Sequence, residues 1–184
     1  MYILIGIAAF VVLILILLWV IYNGLVKAKN IVDEAFSGID VQLMKRHELI
    51  PNLIEAVKGY NAHEAEVLTT IVGMRNSRAA TVNETAASDG SITSALKSFR
   101  IQVEAYPDLQ ANTQFIKLMD NLTTVEDELA MARRYYNGTI REYNTKIEVF
   151  PAVMFAKMFG FTEAEFYEIE NSSDREAPKV ELNN

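Results

Sequence analysis

Two histidines, His47 and His63, are the side chains best suited to metal binding or phosphoryl transfer, because imidazole is both a metal ligand and a nucleophile. Neither has a glutamate three residues before it, so the Glu-x-x-His pairs of carboxylate-bridged metal bundles are missing. The His-Glu-x-x-His spacing of zinc proteases is missing too. We predict no metal site. We expect His47 to be a partly exposed helix residue, with phosphoryl transfer as the alternative.

Other patterns of catalytic residues are not found. The chain has no cysteine, which excludes disulfides, a catalytic thiol, thiolate metal sites and a lipoprotein-type anchor. The glycines Gly73, Gly90, Gly138 and Gly160 are scattered and form no phosphate loop, and no serine lies in a nucleophile elbow. A net charge of -7 argues against nucleic acid as a partner. We therefore predict a protein that is not an enzyme and uses no cofactor or identified small-molecule substrate.

Four charged residues, Arg46, Glu64, Glu126 and Arg133, occupy positions where the helical pattern expects apolar side chains. A buried charge without a partner is very costly. We predict a candidate buried polar network in which these side chains pair across helices and fix the register. A polar pocket inside the bundle and side chains that reach water are the alternatives.

Apolar residues with alternating steps of three and four predict the helices that position these charges. The first seam runs from Val32 to Met74 and keeps its phase through Pro51, which favours one long helix kinked at the proline. A second long seam runs from Ile116 to Phe150 and ends at Pro151. The fold class is therefore all-α, with about four helices in a bundle.

Between the two seams the pattern is lost, so residues 79–91 are predicted to form a loop. Ser91 is a plausible N-cap for a short helix that ends before Pro107. Thr162 is a plausible cap for a last short helix that ends near Glu170, and residues 171–184 form a polar tail.

The N-terminal segment predicts a membrane anchor. Residues 2–22 give about 20 apolar positions, which suffices to cross a hydrocarbon core of roughly 30 Å. Trp19 and Tyr22 suit the headgroup level at one end. A cleaved signal peptide would have a basic start and a shorter apolar run. We therefore expect a retained transmembrane anchor over residues 1–26, followed by a helical domain over residues 27–170.

The basic residues Lys27, Lys29, Lys45 and Arg46 all follow the anchor. The positive-inside rule then predicts a single-pass protein with its N-terminus outside and the bulk of the chain in the cytoplasm.

The stretch 150–161 is dense in large apolar residues, and Lys157 is its one charge. One interpretation is that it closes the open end of the bundle core. The other is contact with the membrane surface or a partner, for which Met154, Phe155, Met158 and Phe159 are the candidate residues.

Taken together, these motifs resemble the LemA family over the anchor and nearly all of the remaining chain. Phe36 stands where many members have Trp, and Leu182 stands where an aromatic residue is common. The residues that carry the resemblance are 35–43, 46–53, 57–60, His63-Glu64, 106–112, Phe115, Glu126, Arg133, Tyr136-Asn137, Tyr143-Asn144, Phe150-Pro151 and 159–161. The resemblance implies a bacterial inner-membrane protein with long antiparallel helices, and it brings no catalytic residue.

These observations favour a non-enzymatic scaffold or adaptor that presents a cytoplasmic helical bundle to protein partners or to further copies of itself. Residues 2–22 contact the lipid bilayer. Two alternatives stay open: a sensor or signalling component that uses His47 or a polar pocket, and a membrane-shaping protein that uses residues 150–161.

Overall fold

The computed structural model describes residues 1–58, 81–104 and 106–168. It contains the helices α1 (Tyr2–Lys58), α2 (Val82–Val103), α3 (Pro107–Gln110) and α4 (Thr113–Glu148), and a 3₁₀ helix (Ala152–Met154). The prediction of an all-α fold is confirmed, since these ranges contain no strand. The predictions for His63, Glu64, the end of the first seam and the tail concern residues outside the described ranges.

Helix α1 joins an exposed apolar segment directly to core residues. Up to Tyr22 no side chain is buried, and this segment is long and apolar enough to cross a membrane. From Leu25 onward, buried side chains follow steps of three and four. In the first part of the helix they are Leu25, Ala28, Val32, Ala35 and Ile39. The helix continues through Pro51, as the unbroken phase of the seam predicted.

The loop predicted over residues 79–91 is wrong, because α2 begins at Val82 and runs through it. Thr81 caps the helix: its Oγ1 accepts a hydrogen bond from the Glu84 amide at 3.2 Å, and the Glu84 carboxylate accepts one from the Thr81 amide at 3.2 Å. The predicted start at Ser91 is wrong for the same reason. Asp89 and Gly90 are buried, so tertiary contacts outweigh their low helix propensity.

The later elements begin and end near proline and asparagine. Pro107 is the first residue of α3, where its missing N–H is tolerated. The Asn112 side chain accepts hydrogen bonds from the amides of Gln114 and Phe115 at the start of α4. Helix α4 ends at Glu148, shortly before Pro151 as predicted. The short helix predicted from Thr162 is wrong, because residues 161–168 are not helical.

The chain divides into two compact units, one of Met1–Val41 with Leu129–Phe166 and one of Gln42–Glu128 with Tyr167–Asn184. In the first unit Tyr22 contacts Phe159, and Phe36 contacts Tyr136, so α4 runs antiparallel to α1 there. The described core of the second unit brings side chains of α1 and α4 against α2, with Phe99 and Phe115 in edge contact.

Replacing Thr81 by Ala should lower the free energy of unfolding by about 1 kcal/mol, because the Glu84 amide loses its side-chain acceptor. Thermal unfolding of the detergent-solubilised protein, followed by circular dichroism, measures the effect. Thr124→Ala is the matched control, since Thr124 is exposed inside α4 and alanine is the better helix former there. Equal midpoints for the two variants would refute the cap.

Candidate functional site

The polar centre of the second unit is Arg46 on α1, whose side chain is only 2% exposed. Its Nη1 atom lies 2.8 Å from Asp89 Oδ1 on α2 and 3.0 Å from Glu126 Oε1 on α4. The same nitrogen donates a hydrogen bond to Thr93 Oγ1 at 3.3 Å. One guanidinium therefore links α1 to both other long helices through charge-assisted contacts.

The two carboxylates have further hydrogen-bond partners. The Thr93 hydroxyl donates to Glu126 Oε2 at 3.2 Å, and the Tyr167 hydroxyl donates to Asp89 Oδ2 at 2.7 Å. A buried ion pair is tolerated when its remaining polar atoms are hydrogen-bonded in this way. The cluster of Arg46, Asp89, Thr93, Glu126 and Tyr167 is called the Arg46 network below.

Of the four charges predicted to form a network, the structure brings Arg46 and Glu126 together. Glu64 lies outside the described residues. Arg133 is partly buried on α4 in the first unit. Sequence reasoning missed Asp89, because it placed this residue in a loop. The signal that would have found it is Thr81-x-x-Glu84, the capping-box spacing that places the cap ten residues before the predicted cap at Ser91.

A second set of polar side chains, on α4 in the first unit, binds the backbone of residues 162–165. The Asn144 side chain donates to the Ala164 carbonyl at 3.0 Å and accepts from the Ala164 amide at 2.9 Å. The Tyr143 hydroxyl donates to the Thr162 carbonyl at 2.9 Å, and the Tyr136 hydroxyl donates to the Glu165 carbonyl at 3.3 Å. These side chains supply the hydrogen bonds that a helix would otherwise provide.

The two tyrosines keep their protons for this role. Burial raises the pKa of Tyr136 above its ordinary value of 10.0, and the charges of Asp33 and Glu165 raise it further. Burial and Asp33 raise the pKa of Tyr143 in the same direction. Both hydroxyls therefore stay hydrogen-bond donors across the physiological range.

Within the described ranges, no group of three or more His, Asp or Glu side chains could hold a metal ion. His47 lies exposed on α1, next to the buried Arg46. Phosphoryl transfer at His47 stays the alternative to an ordinary surface histidine. The described polar atoms of the Arg46 network contact one another, which makes the network a cross-link between helices.

An apolar surface lies at the end of α4. Its exposed large side chains define what we call the α4-end patch: Val149, Phe150, Val153, Met154 and Met158. Phe150, Met154 and Met158 are 78%, 64% and 69% exposed.

Sequence reasoning selected Met154, Phe155, Met158 and Phe159 in this region. Met154 and Met158 lie in the α4-end patch, whereas Phe155 and Phe159 are partly buried. The ring of Phe159 meets that of Tyr22 edge-on, with centroids 5.4 Å apart. Val149, Phe150 and Val153 were not among the selected residues, although Phe150 has the largest exposed fraction in the patch.

Comparison with known proteins decides the family. The LemA family model matches residues 35–182. The chain belongs to the LemA family. The resemblance of its motifs is thereby confirmed, and residues that carried it can be placed: Arg46 and Glu126 in the Arg46 network, and Tyr136, Tyr143 and Asn144 against residues 162–165.

Two kinds of relative share part of this sequence. "Protein LemA" of Metamycoplasma hominis is 27% identical over 132 residues, which is 70% of this chain and 60% of that protein. "Magnetosome protein MamQ 2" of Paramagnetospirillum magneticum is 31% identical over 86 residues, which is 47% of this chain and 32% of that protein. The chain therefore spans less than two thirds of the length of either relative. It is a membrane-associated helical protein of this family.

Replacing Arg46 by Met should destabilise the protein by roughly 3–5 kcal/mol, because Asp89 then keeps a buried charge without its cation. Lys45→Met is the matched control. Lys45 pairs with Glu128 at 3.2 Å, but these side chains are 49% and 37% exposed, so its loss should cost at most about 1 kcal/mol. Thermal unfolding in detergent compares the two variants, and similar midpoints would contradict a structural role for Arg46.

Proposed function

We propose that this LemA-family protein is a non-enzymatic scaffold or adaptor, anchored in the bacterial cell membrane and presenting a helical surface to other proteins at its cytoplasmic face. The observation that carries the proposal is the continuity of α1. No side chain of the apolar segment is buried as far as Tyr22, and core residues begin at Leu25 without an intervening linker.

A continuous helix has a physical consequence that a flexible linker does not. A flexible linker would let the domain sample many heights and orientations above the bilayer. A helix advances about 1.5 Å per residue in a fixed direction, so it sets the distance from the membrane of each core residue that follows Leu25 on α1. A protein partner in the same membrane then meets this surface at a defined height. That property suits a scaffold.

The nature of the polar residues also supports the proposal. Active sites need polar groups that remain available to a substrate. In the Arg46 network, by contrast, a guanidinium, two carboxylates and two hydroxyls contact one another. On α4, the amide of Asn144 is occupied by the backbone of Ala164. Both sets hold helices and segments together, as a scaffold requires.

Cytoplasmic placement of the domain is testable because the chain has no cysteine of its own. A cysteine introduced as Glu142→Cys, exposed on α4, should resist a membrane-impermeant maleimide in intact cells and react after permeabilisation. Tyr2→Cys, at the other end of the anchor, is the control and should react in intact cells. The reverse labelling pattern would place the domain outside the cytoplasm.

The scaffold function predicts specific neighbours in the cell. A photo-crosslinking amino acid at Tyr135, which is exposed on α4 next to the exposed Met131, should capture one or two membrane proteins reproducibly at native expression level. The matched control is the same probe at Arg141, exposed on a different face of the same helix. Capture of the chain itself would identify a scaffold that self-associates. No reproducible capture at either position would contradict the proposal.

A further inference from the structure

The α4-end patch needs a covering surface. Single exposed apolar residues are ordinary on a protein surface, but several large ones close together mark a site of interaction. Five lie within the ten residues from Val149 to Met158. The buried Ala152 and Ala156 lie among them and face the core of the first unit, so the larger side chains point away from that core.

The position of the patch indicates what covers it. Tyr22 is the last residue of the apolar run on α1, and its ring contacts both Phe159 and Phe161, with centroids 5.4 Å and 5.9 Å away. Phe159 and Phe161, which end the apolar stretch that contains the patch, are therefore packed beside the turn of α1 where the anchor ends. Trp19 and Tyr22 suit the headgroup level of a bilayer. Met158, the last residue of the patch, directly precedes Phe159 in the chain, which brings this end of the patch close to that level.

The charges within this segment also suit contact with a bilayer. The chain carries a net charge of -7, yet residues 149–162 contain no Asp or Glu and one exposed basic residue, Lys157. Lys27 and Lys29 are also exposed, one to two turns beyond Tyr22 on α1. The segment between the exposed Glu148 and Glu163 therefore carries no negative side chain of its own, so its apolar residues can enter a headgroup region without burying a carboxylate.

We propose that the α4-end patch inserts into the headgroup region of the bilayer that the anchor spans, as a second membrane contact of the same chain. Two contacts, the anchor and the patch, restrict rotation of the first unit about the anchor axis. The surface that α4 presents is thereby held at a fixed angle to the membrane. This contact stands on the geometry at Tyr22 and Phe159 and does not depend on the scaffold function.

The test uses the full-length protein with one fluorescent label in nanodiscs that each carry a single copy. Met154→Cys places an environment-sensitive fluorophore in the patch. Met131→Cys is the matched control, because Met131 is an exposed methionine on the same helix, roughly 25 Å along its axis from the end of α4. The discs contain phosphatidylcholine and phosphatidylglycerol. Nitroxide-labelled lipid and aqueous iodide are the two quenchers.

The label at Met154 should emit at shorter wavelength than the label at Met131, lose intensity with nitroxide lipid and resist iodide. The label at Met131 should show the opposite quenching. Equal exposure of both labels to iodide would overturn the proposal. So would protection at Met154 that arises only when two copies share a disc, because a second copy would then be the occupant.

A second labelled position, Met158→Cys, guards against a local effect of the first substitution. It should give the same quenching as Met154, since both side chains belong to the patch. Unchanged helical content by circular dichroism verifies that each labelled variant is folded. A folded Met158 variant that iodide reaches freely would likewise contradict membrane insertion.

Discussion

The burial of one guanidinium, that of Arg46, constrains the packing of three helices. A charge removed from water must find partners at fixed positions, and Arg46 finds them on α2 and α4. Apolar seams alone tolerate sliding by a turn, about 5.4 Å, because one apolar contact replaces another. A shift of that size would separate Arg46 from both carboxylates. The ion pairs therefore select one register among several that the apolar seams allow.

In the first unit, neutral polar side chains fix the position of a segment, as the ion pairs of Arg46 fix the register of helices. Its C-terminal segment, residues 161–166, has no helical hydrogen bonds, so its backbone depends on side chains of α4. Asn144 pairs with Ala164 much as a neighbouring strand would, and Tyr143 binds the Thr162 carbonyl. Phe161 is buried at the start of this segment and contacts Tyr22. The docking of this segment thus helps to shape the membrane-proximal end of the unit.

Helices α1 and α4 could be predicted from the sequence because their burial is periodic over many turns, and Arg46 and Glu126 were recognisable as charges on an apolar seam. Helix α2 could not be predicted from local composition. Asn83, Asp89 and Gly90 favour loops, and what makes them helical is a cap at Thr81 and a partner for Asp89 that is distant in sequence. The segment after Thr162 was also predicted wrongly, as a helix. Its backbone groups bind side chains of α4, and the local sequence does not reveal partners that are distant along the chain.

Membership of the LemA family and the apolar helix at the N-terminus make this a membrane-associated helical protein. We propose that the polar residues that carry the resemblance to the family are structural. They hold α2, α4 and the C-terminal segment in place, and the surface of the domain carries the function. A different account would make the Arg46 network a ligand site that opens during function.

The measurement that separates these accounts is the in-cell crosslinking pattern of a charge-free network, Arg46→Met with Asp89→Asn and Glu126→Gln. Asparagine keeps an acceptor for Tyr167, and removing all the charges together leaves none buried without a partner. If the network is structural, this variant folds and captures the same partners as the unmodified protein. A variant with unchanged helical content that has lost those partners would contradict the account.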